Sequence, residues 1–202
     1  MTTKSVPPQD LRFAAPANVG EQPSGENGLR QFEGIAYTGA PVQGFMDQLV
    51  VDLESLQVPD QLPALVGHDR KAVAGYANQI SVTDNGLEVA GYLSQTTEEG
   101  REVAGTSDEG FPWQLSIDVS PGAIEEVQPG AQATVNGREV NGPAIVFRDS
   151  TVAEVSFTPT GKDSATSAKA LSDEGVDIPI RGSDPMTTQN TAGGNQGQDQ
   201  GQ

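Results

Sequence analysis

The stretch Val73-Ala74-Gly75-Tyr76-Ala77-Asn78-Gln79-Ile80-Ser81-Val82 leads into Asp84-Asn85-Gly86 and returns as Leu87-Glu88-Val89-Ala90-Gly91-Tyr92-Leu93. Asn-Gly tolerates positive φ, the requirement of a tight hairpin, so the run predicts two antiparallel strands around one turn. A strand pair of this length sets the expectation for its surroundings: a mainly β chain.

Upstream, Phe32-Glu33-Gly34-Ile35-Ala36-Tyr37 mixes apolar with small or polar residues, as a half-buried strand does. Phe45 to Leu56 fits either period, but Val50-Val51 favours a pleated surface, and Pro59 and Pro63 follow, so a strand is expected there. Downstream, Thr96 or Thr97 before Glu98-Glu99 reads as a helix start, with about three turns to Asp108 and Gly110 as the stop; Gly100 and Gly105 weaken it. Trp113 to Val119 is a strand. Residues 121–142 are rich in Pro, Gly and Glu, with a second hairpin turn at Asn136-Gly137, and Ala144–Phe147 and Thr151–Phe157 are the last strands. A short helix is expected over Ser164–Leu171.

The ends differ. Residues 1–30 carry Pro7, Pro8, Pro16 and Pro23 and few large apolar residues, so they read as a flexible N-terminal arm, with one short ordered piece around Leu11-Arg12-Phe13. Residues 173–202 read as a low-complexity flexible tail, mostly Gly, Gln, Asn, Thr and Asp from Gly182 onward. The expected domain is 31–172: mainly β with a few helices, in a closed or strongly curved sheet.

Composition narrows the chemistry. Hydrophobic content is 35%, with 24 Gly and 14 Pro unevenly spread, so an ordinary core and poorly packing termini share one average. A net charge of −17, from 28 acids against 11 Lys and Arg, repels phosphate backbones and argues against direct nucleic-acid binding. With no cysteine and one histidine, thiolate catalysis, disulfides and Cys- or His-rich metal sites within one chain are excluded, and no cofactor is expected. The first residues lack the apolar centre of a signal peptide and no run is long enough for a membrane helix, so a cytoplasmic protein is expected.

That single histidine, His68, follows Leu65-Val66-Gly67 at a strand edge from which an imidazole could enter a cleft. Ser116 alternates with Leu115, Ile117 and Val119, so it shares a polar face with Asp118. In Val152–Phe157 the same alternation puts Ala153, Val155 and Phe157 on the apolar face and Val152, Glu154 and Ser156 on the other. Each polar residue alone is ordinary surface or loop. Together they supply a base, a hydroxyl that such a base can activate, and a carboxylate that can hold the imidazole tautomer. Asp69, next to the histidine in sequence, is the second choice for that carboxylate.

The ordered set Leu62-Pro63-Ala64-Leu65-Val66-Gly67-His68-Asp69, the Gly75–Gly91 hairpin, Gly110-Phe111-Pro112-Trp113-Gln114-Leu115-Ser116-Ile117 and Ala153-Glu154-Val155-Ser156-Phe157 resembles the prohead (capsid maturation) proteases of tailed DNA phages, thought to share their fold with the herpesvirus assemblins. The resemblance covers about residues 31–170. It implies a serine endopeptidase on a compact closed β-barrel of the assemblin type with peripheral helices, with His68 as general base, Ser116 as nucleophile and Glu154 as third member. The assemblins use a second histidine at the third position, so here a carboxylate fills it or the site is a dyad. Asp118 stands where the phage motif often has Gly.

Implied substrates and partners are the capsid and scaffold proteins of the procapsid and the protease itself, with no nucleic acid, no membrane and no bar to a homo-oligomer. The implied place is the host cytoplasm, inside the immature capsid. Backbone N–H groups near Ser116 or at Gly161-Lys162 are candidate oxyanion donors. Met186-Thr187-Thr188 echoes the start of the chain, and the resemblance makes 182–202 the opening of a scaffold or linker and a place for self-trimming. Cleavage should fall as pH drops below the ordinary imidazole value, about 6.5. The rival readings are a non-enzymatic scaffold or decoration protein of the phage capsid and an unrelated β-barrel binding module.

Overall fold

A computed structural model describes residues 12–23, 29–44 and 47–160. In chain order the elements are β1 (Arg12–Pro23), β2 (Arg30–Tyr37), β3 (Val42–Gln43), β4 (Gln48–Val51), β5 (Leu62–Val66), β6 (Asp69–Thr83), β7 (Gly86–Leu93), α1 (Glu98–Asp108), β8 (Gln114–Ser120), β9 (Ala123–Val127), β10 (Gln132–Val135), β11 (Arg138–Asn141), β12 (Ala144–Arg148) and β13 (Thr151–Thr158). The protein is mainly β, with one helix among the described residues; the helix expected over Ser164–Leu171 lies outside them.

The main sheet runs β2-β7-β6-β5-β13-β8 and curls, with β1 set across its two edges. β1 divides its length between them: Arg12–Pro16 pair with β8, and Ala17–Val19 and Pro23 pair with β2. Over Arg12–Pro23 this corrects the expectation of a flexible arm; residues 1–11 and 24–28 lie outside the described residues. A composition poor in large apolar residues is no obstacle when two neighbouring strands each offer an unpaired edge to bond with. Ala17 and Val19 are buried.

Inside the curl, β8 presents Leu115, Ile117 and Val119, opposite Phe157, Val155 and Val152 of β13. Phe157 packs edge-on against Phe32 at 5.0 Å and Trp113 at 6.2 Å, the arrangement ring quadrupoles favour. Burying these side chains is the main force holding the curl together.

The helix matches its local signals. Thr97 accepts a hydrogen bond from the Gly100 N–H as N-cap, and Gly110 lies just past the end at φ 84°. Gly100, a weak helix former, is required by packing: a Cβ there would stand 2.1 Å from the Ser94 carbonyl and 2.7 Å from that of Ala74. Trp113 Nε1 donates to Thr106 Oγ1 at 2.9 Å and ties the helix to the start of β8.

A second sheet, β3-β4-β12-β9, has β12 parallel to β4 and antiparallel to β9, and packs Val42, Leu49, Val51, Ile145 and Phe147 into the main core. Its own core is Val50, Val127, Val135, Val140, Ala144 and Val146. The β10–β11 hairpin turns at Asn136-Gly137, both at positive φ. Asn136 then spends its amide on the chain beneath, donating to the Gly39 and Val51 carbonyls and accepting from the Leu53 N–H. At the hairpin read first, positive φ falls on Gly86 alone, and Asp84-Asn85 form the loop.

Candidate active site

β5 and β6 are joined by a loop of two residues, Gly67-His68, with Val66 opposite Asp69. Both loop residues have left-handed φ, 61° and 62°, which a two-residue type I′ hairpin demands at its centre. Gly67 adopts it freely; for His68 such a backbone costs on the order of 1–3 kcal/mol and persists only where its surroundings hold it. The histidine is therefore not at a strand edge but in the turn itself. Two bonds from β13 hold that turn: Gly67 N–H donates to the Phe157 carbonyl at 2.9 Å, and His68 N–H to Ser156 Oγ at 3.1 Å.

The turn brings the imidazole over the outer faces of β8 and β13. His68 Nε2 lies 2.9 Å from Ser116 Oγ and Nδ1 lies 2.5 Å from Glu154 Oε1. The structure thus brings His68, Ser116 and Glu154 together. An ionised Glu154 can only accept, so Nδ1 carries the proton and, in the neutral ring, Nε2 turns its lone pair to the Ser116 hydroxyl. Asp69 does not compete: it is exposed, and its carboxylate accepts from the Lys71 N–H. Asp118 faces Glu154 in the strand register, while the imidazole bonds to Glu154 and Ser116.

A β-bulge in β13 immediately precedes Glu154. The β8–β13 register jumps between Val152 and Glu154, so Val152 opposes Val119, Glu154 opposes Asp118, and Ala153 is the extra residue. Strict alternation had put Val152 with Glu154 and Ala153 with the core. Instead Val152 is buried in the core and Ala153 is exposed. With Val155 and Phe157 in the core, regular alternation keeps Glu154 on the outer face beside Ser156; the inserted residue is what returns Val152 to the core.

A fourth residue belongs to the cluster. Ser156, fully buried and directly opposite Ser116, donates to Glu154 Oε2 at 2.5 Å while accepting the His68 N–H. The alternation that placed Ser156 beside Glu154 on one face was its only signal in the sequence. The site is enclosed: side-chain exposure is 8% for both His68 and Glu154, and Ser116 is 2% exposed. Of the candidate oxyanion donors, Gly161-Lys162 lies outside the described residues, and β8 is paired on both sides at Ser116, with Ala14 and with Ser156.

A second polar cluster joins β12 to the turn after β4. Buried Asp52 accepts from Ser55 Oγ at 2.7 Å and from the Glu54 N–H, and pairs with Arg148 at 3.0 Å; Arg148 also pairs with Glu125 at 2.8 Å. Burial pushes the Asp52 carboxyl up, but the bonds from Ser55, Arg148 and Glu54 and the guanidinium charge outweigh it and leave the group below the usual aspartate range. Arg148 is likewise desolvated, yet its two carboxylates raise it. A groove of about 410 Å³ on β2, β6 and β7, lined by Glu33, Ile35, Gln79, Ser81, Glu88 and Ala90, shares no residue with the histidine cluster. Among the described residues no group of acids, histidines or cysteines could hold a metal, and no helix is long and apolar enough to cross a membrane.

Compared with family models, curated proteins and solved structures, the chain matches none of them.

Proposed function

We propose that the chain is a serine endopeptidase of the prohead-protease kind, cutting scaffold and capsid-protein segments, and itself, during maturation of a phage procapsid. The observation that carries this reading is one imidazole bonded to a serine hydroxyl through Nε2 and to a carboxylate through Nδ1. In the proposed reaction Ser116 Oγ attacks the peptide carbonyl as His68 Nε2 takes its proton. The imidazolium, held by Glu154, returns that proton to the departing amine, and water then cleaves the acyl ester by the reverse proton path. The neutral ring is the working form, so cleavage falls on the acid side as His68 takes up a proton. On this reading the curled sheet, with β1 across its seam, is a compact closed β-barrel of the assemblin type. The place of action is the interior of the immature capsid in the host cytoplasm, and residues 182–202 are a segment the enzyme trims.

The test is intact mass over time for wild type against Ser116→Ala at neutral pH with scaffold and capsid protein present. Loss of fragments in wild type alone supports the proposal. Unchanged masses for every chain in both samples would sink it.

The 2% exposure of Ser116 favours a second reading, in which the cluster is a polar clip inside a non-enzymatic scaffold or decoration protein. A serine-reactive phosphonate separates the two. Labelling at Ser116 requires a reachable, activated hydroxyl; an unlabelled serine in folded protein supports the clip.

A further inference from the structure

Ser156 touches both the histidine and its carboxylate without being either. Its hydroxyl accepts the His68 N–H at 3.1 Å, so its own proton must go elsewhere, and Glu154 Oε2 is 2.5 Å away. One oxygen of Glu154 is thereby committed to Ser156 and the other to His68 Nδ1. Without the serine, the carboxylate could rotate about its last torsion, which has broad, shallow minima. The turn would also lose one of the two bonds that hold His68 at a left-handed φ. The hydroxyl is fully buried, so in the folded protein water cannot readily replace it.

From this we infer that Ser156 is a positioning residue of the candidate catalytic group. It sets the Glu154 rotamer and the His68 backbone together, and so fixes which imidazole nitrogen carries the proton and where the other points. The inference deepens the peptidase proposal and rests on it for its kinetic consequences, but not for its geometric ones.

The chain has one histidine, so its imidazole resonances are unambiguous by NMR. Wild type should show a single protected, low-field Nδ1–H signal. In Ser156→Ala that signal should shift and broaden, while in Ser116→Ala it stays sharp. In a cleavage assay Ser156→Ala should lower kcat about 10–100-fold, the usual cost of losing a residue that orients a working histidine, with KM nearly unchanged. The part of that loss that runs through Glu154 is absent in a Glu154→Gln background, so the same substitution there should cost less, the remainder being the bond from the His68 N–H.

An unmoved Nδ1–H signal in folded Ser156→Ala overturns the inference, as does an equal loss of kcat in both backgrounds. If the alanine variant does not fold, Ser156→Cys, close in size and a weaker donor, is read the same way. If wild type cleaves nothing, the peptidase reading fails, and the imidazole signal still decides the role of Ser156.

Discussion

Glu154 and Asp52 are both buried acids, and each is held by a serine that performs the same relay. Ser156 accepts the N–H of His68, at φ 62°, and donates to Glu154; Ser55 accepts the N–H of Asp149, at φ 49°, and donates to Asp52. In each place a hydroxyl couples a left-handed backbone residue to a buried carboxylate. What differs is the nitrogen that completes the group. Asp52 meets Arg148, which keeps its charge at any pH the protein survives and shares itself with Glu125, so every strong partner is already satisfied. Glu154 meets an imidazole, whose far nitrogen faces a hydroxyl and can gain or lose a proton. The relay is a way of holding a turn, and the third partner decides whether the assembly can do more than hold.

The contrast is most exposed to a test at Ser116. Ser116→Ala should reduce cleavage by a factor on the order of 10⁶, the scale for removing a nucleophile, while the urea midpoint barely moves; mass spectrometry of substrate and product reads the first and fluorescence of Trp113 the second. A variant that loses stability but not cleavage would place the serine in the holding class with Ser55.

Glu154→Gln comes next. It keeps the shape but offers an amide that cannot enforce the Nδ1–H tautomer, so kcat should fall by about 10⁴ in single-turnover assays. A fall of tenfold or less would show that His68 and Ser116 work as a dyad.

At the other cluster the effect should appear in stability. Asp52→Asn should lower unfolding free energy by about 1–3 kcal/mol at pH 7, through loss of charged hydrogen bonds. The folded carboxyl lies below its unfolded value, so its contribution is full above about pH 4 and disappears as pH falls through the folded value. Urea midpoints of wild type and variant should therefore converge at low pH, and a gap that stays constant from pH 7 to pH 3 would contradict the assignment.

The smallest effect is expected at Arg30–Asp108. The carboxylate takes two bonds, at 2.7 and 2.8 Å, and the guanidinium beside it holds Asp108 below the usual range, but its side chain is 51% exposed. Asp108→Asn should cost no more than about 1 kcal/mol in thermal unfolding at moderate salt. A larger loss would mean that the pair clamps α1 to β2.

These regions also differ in how far they could be read before the structure. The helix over Glu98–Asp108 was legible because its signals are local: a capping threonine at one end and Gly110 at the other. The strand expected within Phe45–Leu56, found at Gln48–Val51, and the Asn136-Gly137 turn were legible for the same reason. The candidate site residues were legible as residue types and as faces, since Ser116 and Glu154 alternate with apolar neighbours. Their mechanism of approach was not. Gly67-His68 reverses the usual order of an Asn-Gly turn, so no propensity announces the approach of the imidazole, and the bulge at Ala153, which returns Val152 to the core, depends on the partner strand. β1 was illegible because Arg12–Pro16 take their partner from β8, far along the chain, which local composition cannot report.

The division of β1 between two partners carries a kinetic consequence. Its register places Arg12 opposite Asp118, so the strand cannot finish docking until a segment far along the chain has been synthesised and has found β13. Closing so long a loop is entropically unfavourable and slow, and contacts of that separation form late in folding. Until then the edge of β8 is bare, and a bare edge recruits other chains. In a nascent or refolding population the window for misassembly should close only when β1 arrives, making a strand poor in large apolar residues the one that ends the molecule's vulnerability to aggregation.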